Sequence, residues 1–156
     1  MVQMTHLGGP TVLLELGGWR ILTDPTFDPP GRKYQFGWGT SSIKTAGPAL
    51  QPDEIGPVDV VLLSHDHHAD NLDDRGRDLL PAAGTVLTTR TGARRLAAPN
   101  VHGLGAGETT SLDAPGKEHV VGGLDKGVGD GAAQGGPDES RSRAPGKVKS
   151  GPGAER

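Results

Sequence analysis

Three histidines and three aspartates lie within the segment at residues 64–73. His65, His67 and His68 are half of the six histidines in the chain, and Asp70 follows them closely. Imidazole nitrogens and carboxylate oxygens are the usual protein ligands of a catalytic divalent metal ion. We therefore predict a metal site whose ligands are drawn from these four residues.

The spacing of the histidines leaves two ligand pairs open. On an extended chain, side chains two residues apart project to the same side, so His65 and His67 could bind one ion together. If the chain already turns at Asp66, His65 and His68 form the matching pair instead. Asp70 lies within reach of the ion in both cases.

A polar turn without a metal is the alternative interpretation of this segment. Asp70 or Asn71 would then cap a helix that begins at Leu72. Three histidines within four residues, directly after a strand, favour the metal site. Within such a site, Asp66 and Asp70 are the catalytic candidates, and Asp66 or Asp24 could orient the ligands or transfer protons.

Predicted strands and helices alternate around the segment. The aliphatic run at 58–63 predicts a buried strand that ends at the histidines. Gly17 and Gly18 predict a two-residue turn between strands at 11–16 and 19–24, because such turns need positive φ. Further predictions are a helical turn at 52–57, helices at 72–80 and 91–98, and strands at 84–89 and 101–104. This alternation indicates an α/β layered fold.

Two other stretches each have two interpretations. The Gly- and Pro-rich stretch at 27–57 predicts a long loop, and loops of this length are often functional. Its alternating Tyr34, Phe36 and Trp38 suit either a flap over a pocket or a short strand. A solvated helix face or a phosphate contact would explain the basic residues Arg90, Arg94 and Arg95.

The order of these motifs resembles the first half of the metallo-β-lactamase fold superfamily. Residues 5–15 look like the opening strand of that fold, and the letters LTDP at 22–25 and VDVVLLSHDHHADNLD at 58–73 follow in the same order. They are most similar to the branch of lactonase-like and N-acyl-phosphatidylethanolamine phospholipase D-like hydrolases. The resemblance implies a partial αβ/βα sandwich over residues 1–113.

The superfamily signature H-x-H-x-D-H fits the chain in two registers. Anchored at Ser64, it uses His65 and His67 and leaves one extra residue before Asp70. Anchored at Asp70, it uses His68 as a ligand. The resemblance implies zinc as the cofactor, as one or two ions, with manganese or iron as alternatives.

The resemblance also implies an activity. Members of the suggested branch are metal-dependent hydrolases, so we expect hydrolysis of an ester, a lactone or a phosphodiester through a metal-bound water. The alternative is a truncated, catalytically inactive, metal-binding remnant, because the ligands that the superfamily takes from downstream strands have no clear counterpart. His102 and His119 are the later histidines that could take such a role.

Composition changes abruptly near residue 113. All the aromatic residues lie in the first quarter of the chain, whereas residues 114–156 are rich in Gly, Pro and charged residues and carry few branched aliphatics. Such a segment buries too little apolar surface to offset an ordering cost of about 1–2 kcal/mol per residue. We therefore predict a disordered low-complexity tail at 114–156. An uncovered sheet next to it would favour self-association.

Charge and composition restrict the class of partner. The formal net charge of the 156 residues is −3 without a basic stripe, which argues against nucleic-acid binding. There is no cysteine, so any metal must be held by nitrogen and oxygen donors. Neither a signal peptide nor an apolar run of membrane-spanning length is present. We therefore expect a cytoplasmic protein that acts on a small molecule.

Overall fold

The computed structural model describes residues 1–37 and 39–123, which form strands and short helices. The strands are β1 (Val2–Gly8), β2 (Thr11–Leu16), β3 (Trp19–Thr23), β4 (Lys33–Gly37), β5 (Thr40–Ile43), β6 (Val60–Leu62), β7 (Thr85–Thr89), β8 (Val101–Leu104), β9 (Thr109–Leu112) and β10 (Val120–Gly123). The helices are α1 (Pro52–Ile55), α2 (Asp74–Leu79) and α3 (Arg90–Leu96), with a 3-10 turn at Leu80–Ala82. This mixture confirms the predicted α/β class. In the described part of the chain, no helix is long and apolar enough to cross a membrane.

Six strands form the central sheet in the order β1-β2-β3-β6-β7-β8. Strands β1, β2 and β3 are antiparallel neighbours, while β3, β6, β7 and β8 run parallel. The β2–β3 hairpin turns at Gly17 and Gly18, whose φ angles of 55° and 85° confirm the predicted tight turn. Because β3 and β6 are parallel, their carboxyl ends lie side by side, and the loops that follow them meet at one edge of the sheet.

The two faces of the sheet are buried by different elements. One face packs Leu22, Val61 and Val86 with residues of the helices and loops, such as Phe27 and Leu80. The opposite face presents an apolar cluster whose buried members are Trp19, Ile21, Val60 and Leu87. Residues of the β9–β10 hairpin, Leu112 and Val120 among them, pack against this second cluster. The sheet is therefore a layer with apolar residues on both faces, as a sandwich fold requires.

The helix after the histidines begins later than predicted. It was expected at 72–80 with Asp70 or Asn71 as the cap, but α2 starts at Asp74 and Asp73 is its N-cap. The Asp73 carboxylate accepts a hydrogen bond from Gly76 N at 2.8 Å, and its side chain is fully buried. The prediction that Asp70 or Asn71 caps the helix is therefore wrong, because the buried carboxylate three residues before Gly76 takes that role.

The second helix is also displaced from its predicted start. Thr91 was expected to cap a helix through residue 98, whereas α3 spans Arg90–Leu96 and Thr89 is its N-cap. The Thr89 hydroxyl accepts a hydrogen bond from Gly92 N at 2.9 Å. Ala97 ends the helix in the left-handed conformation, with φ of 49°. The helix thus follows β7 without an intervening loop.

The long stretch at 27–57 contains regular structure. Strands β4 and β5 pair as a separate two-stranded hairpin, in which Tyr34 lies opposite Ser42. Tyr34 lies in strand β4 and also borders a small cavity, so the strand and the pocket wall both describe it, while Trp38 lies outside the described residues. The predicted helical turn at 52–57 is confirmed as α1.

The chain is ordered further than the composition predicts. The tail was expected to be disordered from residue 114, but β10 pairs with β9 inside that range. Trp19 Nε1 donates to Glu118 O at 2.6 Å, and Glu118 N donates to Gly17 O at 2.8 Å. The correction has a physical reason: hydrogen bonds to Gly17 and to the Trp19 side chain, together with packing of Val120 on the second apolar cluster, hold this segment. Residues 124–156 lie outside the described residues, and there the tail stays a prediction.

Candidate metal centre

The candidate site begins where Asp24 and Ser64 join the ends of two parallel strands. Asp24 follows β3 and donates its backbone N–H to Leu62 O of β6 at 3.0 Å. The carboxylate of Asp24 then accepts hydrogen bonds from Ser64 N at 2.7 Å and from Ser64 Oγ at 2.9 Å. Burial raises the pKa of Asp24, although the bonds from Ser64 act in the opposite direction. These contacts fix the start of the loop at 64–73.

Asp24 has an unusual backbone conformation at this junction. Its φ is 31°, which is rare for a residue other than glycine. Such conformations persist only where the surrounding contacts hold them. Here the bonds to Leu62 and Ser64 hold the conformation, and they tie Asp24 to the start of the loop.

The loop brings the three predicted histidine ligands into one cluster. The ring centroids of His67 and His68 are 4.2 Å apart, and the His65 ring lies 5.7 Å from His67 and 6.3 Å from His68. His65 is half-buried, with Nδ1 3.3 Å from Ser64 Oγ, whereas His67 and His68 are exposed. The alternatives His67 and His68 are thus both close to His65.

Asp66 is turned away from solvent and bound to α3. Its side chain is buried, and its carboxylate accepts hydrogen bonds from Arg95 Nε at 2.7 Å and from the Arg95 terminal nitrogen. The bond from Arg95 lowers the pKa of Asp66, and burial only partly opposes this. Arg77 also donates to Asp66 O at 2.9 Å. Asp66, a predicted catalytic candidate, therefore holds the loop against the helices.

The Asp66 carboxylate also lies next to one of the imidazoles. His67 Nδ1 is 3.9 Å from Asp66 Oδ1. Burial lowers the pKa of His67, and the charges of His68 and Arg95 lower it further. These effects favour the neutral imidazole, which is the form that binds a metal.

Asp70, the carboxylate among the predicted ligands, is exposed on the same loop. Its negative charge contributes to the raised pKa of Asp24, so the two carboxylates are electrostatic neighbours. Asp70 also lines a small cavity below the β4–β5 hairpin. Of the four predicted ligands, it alone borders that cavity.

The donor set fits a divalent metal ion in its chemistry, but its geometry is not that of a complete centre. Three imidazoles and one carboxylate within a single loop are suitable ligands for zinc. Within residues 1–37 and 39–123, however, no three His, Asp or Glu side chains are arranged to hold one ion. The described residues therefore supply donors of the right kind without the arrangement of a complete centre.

The later histidines lie in other parts of the fold. His102 is opposite Leu87 in the β7–β8 pair and borders a cavity that Asp113 also lines. His119 Nδ1 is 2.7 Å from Asp113 Oδ1 in the connection between β9 and β10. Neither position gives support to these histidines as further ligands of the loop cluster.

The sequence analysis missed the residues that hold the loop in place. Arg95 was interpreted as part of a solvated helix face, yet it binds the buried Asp66. Asp73 accepts hydrogen bonds from Gly76 N and Asp28 N, and lies 3.3 Å from Lys44 Nζ. The available signal for Asp73 was an aspartate three residues before a helix glycine, which is a typical N-cap position.

Comparison with known proteins relates this geometry to a family. Residues 3–142 match the family model described as the beta-lactamase superfamily domain. A search of curated proteins gave no match.

Three solved structures share the fold at low sequence identity. An isothiocyanate hydrolase from Delia radicum gut bacteria is 19% identical, with a TM-score of 0.56, over 67% of this chain and 42% of that one. A possible metal-dependent hydrolase from Veillonella parvula is 22% identical, with a TM-score of 0.57, over 74% and 45%. A metallo hydrolase from the hyperthermophilic archaeon Ignicoccus hospitalis is 16% identical, with a TM-score of 0.53, over 71% and 42%. The chain thus spans less than half the length of these structures.

Proposed function

The chain belongs to the beta-lactamase superfamily domain family, and on that basis we propose that it is a metal-dependent hydrolase. The observation that carries the proposal is the clustering of His65, His67 and His68, with Asp70 nearby, where β3 and β6 end. Ligand sites of α/β sheets collect at such strand ends. The metal-dependent hydrolases among the structural neighbours support the same activity class.

The residues of the loop have separate roles in this proposal. His65, either His67 or His68, and Asp70 hold the ion, which we propose to be zinc. A bound divalent ion supplies Lewis-acid activation of water and of a carbonyl or phosphoryl oxygen. Asp66 supports the loop that carries the histidines, because Arg95 keeps its carboxylate ionised and in place.

Substrate class follows from the same chemistry. We propose an ester, a lactone or a phosphodiester as the substrate, because each presents an electrophilic centre that water can attack. The isothiocyanate hydrolase among the neighbours acts on another small electrophile within the same fold. The cytoplasmic location predicted from the sequence stays a prediction.

Metal analysis of matched histidine variants tests the proposal. We expect the purified chain to bind zinc, and His65→Ala to lose most of it. Of His67→Ala and His68→Ala, the variant that loses zinc identifies the second ligand. His119→Ala is the matched control and should retain the metal, since its imidazole is bound to Asp113. Equal zinc content in all four variants would contradict the assignment.

A second candidate function is a metal-binding protein without turnover. Two carboxylates that could transfer protons in catalysis already accept hydrogen bonds from the protein, which favours this candidate. Asp66 is bound by Arg95, and Asp24 is bound by Ser64. Assays of the zinc-loaded chain with a p-nitrophenyl ester and a bis-p-nitrophenyl phosphodiester separate the two candidates. Turnover that His65→Ala removes supports the hydrolase, whereas stoichiometric zinc without turnover supports the second candidate.

We also propose that two copies of the chain associate through β1. This strand is an edge of the sheet, and residues 2–8 carry no charged side chain. Its Val2 and Met4 lie opposite Leu16 and Leu14, and their exposed fractions are 66% and 71%. Edges without protecting charges favour pairing with another strand. Light scattering should show a dimer that Met4→Lys dissociates, whereas Gln3→Lys, on the other face, has the smaller effect.

A further inference from the structure

A small cavity lies between the histidine loop and the β4–β5 hairpin. Its volume is about 180 Å³, and Asp70 stands at its border with the candidate metal centre. The cavity is also lined by Pro10, Ala69, Tyr34, Ser42 and Lys44. A group bound in this cavity would therefore lie directly beside a predicted metal ligand.

The walls of the cavity are held by hydrogen bonds. Tyr34 is buried, and its hydroxyl donates to Asp28 Oδ2 at 3.4 Å. The base of the hairpin is closed by Lys44 N donating to Arg32 O at 2.8 Å and by Gly31 N donating to Lys44 O at 2.7 Å. The cavity is thus largely pre-formed, which is the usual state of small-molecule sites.

The charges around the cavity disfavour an anionic ligand. Lys44 Nζ lies 3.3 Å from Asp73 Oδ2 and 3.2 Å from Thr26 O, so its positive charge is already compensated by a buried carboxylate. The other charged residue among the described wall residues is Asp70, which is negative. In the metal-free chain, an anion would meet this carboxylate without an available counter-charge, whereas a neutral group avoids the repulsion.

The volume sets the size of the ligand. Drug-sized ligands occupy pockets of about 300 Å³ or more. An engineered apolar cavity of about 150 Å³ in another protein binds benzene. The cavity beside Asp70 is close in volume to this benzene-binding cavity. The Tyr34 ring, Pro10 and Ala69 in its walls suit an apolar group.

We propose that this cavity is a substrate subsite that binds a compact, neutral, apolar group of about the size of a benzene ring. The inference rests on the proposed hydrolase function, because it places the scissile bond beyond that group, towards Asp70. It narrows the substrate class to esters or lactones with a small uncharged acyl part. The phosphodiester alternative would need an uncharged substituent of the same size.

Two serines on adjacent positions of β5 provide matched variants. Ser42 pairs with Tyr34 and borders the cavity, whereas Ser41 pairs with Gln35 on the opposite face of the hairpin. Both serines are exposed, so a larger side chain at either position has room outside the core. Ser42→Trp should fill the cavity, and Ser41→Trp should leave it open.

Binding of benzamide and benzoate, measured by ligand-observed NMR, tests the subsite without need for turnover. With any bound metal removed by a chelator, benzamide should bind the native chain, and benzoate, of the same size but negative, should bind about fivefold more weakly because of Asp70. Ser42→Trp should weaken benzamide binding by about tenfold or more, since the indole occupies the space in which the benzamide ring would be buried. Ser41→Trp should bind benzamide as the native chain does.

Each outcome decides either the subsite or the proposed function. Equal binding by both tryptophan variants, tighter binding of benzoate, or no binding of benzamide would overturn the subsite. Benzamide binding that Ser42→Trp removes, in a chain that neither holds zinc nor hydrolyses esters, would instead overturn the hydrolase function and leave the ligand class of the cavity standing.

Discussion

The loop at 64–73 contains two sets of polar side chains in opposite environments. Asp66 and Asp73 are buried, and each is bound by groups from other elements. His67, His68 and Asp70 are exposed on the same loop, at the edge of the sheet. A carboxylate near histidines can therefore be an anchor, which holds the loop to other elements, or a candidate ligand. Burial together with a bound partner distinguishes the anchors, Asp66 and Asp73.

Substitutions of the anchors and of the exposed side chains should differ in their effect on stability. Removing a buried carboxylate leaves its former partners unsatisfied, which costs stability. Removing an exposed side chain costs little stability, although it removes a possible ligand. Stability and metal binding should therefore respond to different substitutions in this loop.

Asp73→Ala should have the largest effect on stability. The variant loses the N-cap bond to Gly76 and leaves Asp28 N and the Lys44 ammonium without their buried acceptor. We expect a loss of about 3–4 kcal/mol in the free energy of unfolding, measured by urea denaturation.

Asp74→Ala is the matched control for this prediction. The neighbouring carboxylate is 71% exposed and pairs with Arg32 at the surface, so its removal should cost less than about 1 kcal/mol. If both variants lose the same stability, Asp73 is not an anchor and the proposed separation of the loop fails.

Asp66→Asn and Asp70→Asn should separate stability from metal binding. We expect Asp66→Asn to lower the free energy of unfolding by about 1–3 kcal/mol, because the amide cannot accept both hydrogen bonds from Arg95. Asp70→Asn should change stability by less than about 0.5 kcal/mol, since the side chain is exposed. Urea denaturation and zinc titration of both variants provide the two measurements.

The zinc affinities of Asp66→Asn and Asp70→Asn test the two roles directly. Asp70→Asn should reduce zinc affinity more than Asp66→Asn does, because a ligand is removed in the first and a support in the second. The reverse order of affinities would show that Asp66 turns towards the ion when it binds, so that its bond to Arg95 is exchanged for a metal bond.

Much of the sheet around the loop could be predicted from local sequence. The Gly17-Gly18 turn and the aliphatic run before Ser64 carry their structural meaning in adjacent residues, and both are confirmed. The clustering of the three histidines follows from their spacing on one short loop. Local rules were sufficient in these cases because the partners are near neighbours in sequence.

Long-range contacts explain what the sequence could not predict. Arg95 lies 29 residues from Asp66 in the sequence. Its charge alone therefore indicated a solvated helix face and not a bond to a buried carboxylate. Trp19 and Glu118 are 99 residues apart, so composition could not reveal the bond that holds the segment before β10. The start of α2 was displaced because the buried environment of Asp73, not a local pattern, decides which residue is the cap.

Asp59 is a partly exposed carboxylate that also joins two elements, and its substitution should have the smallest effect on stability. Its carboxylate lies 2.5 Å from Lys117 Nζ and accepts a hydrogen bond from Arg20 N at 2.8 Å. The same Lys117 Nζ lies 4.9 Å from the ring centroid of Trp19, so the contact joins the β9–β10 hairpin to the sheet. With 30% of its side chain exposed, Asp59 should contribute less than the buried Asp66.

The contribution of Asp59 should depend on pH in one direction. Burial acts to raise the pKa of Asp59, but the bonds and charges of Lys117 and Arg20 outweigh it and lower the pKa below the ordinary value of 3.8. The folded state therefore gains stability from the ionised carboxylate above that value and loses it as the pH falls through the lowered pKa. Urea denaturation should show native chain and Asp59→Asn differing by less than about 1 kcal/mol at pH 7, with the gap closing as the pH falls below 3.8 and through the lowered pKa. Lys117→Gln should narrow the gap at pH 7; a gap that instead widens in acid would mean that Asp59 is protonated in the fold and does not anchor the hairpin by charge.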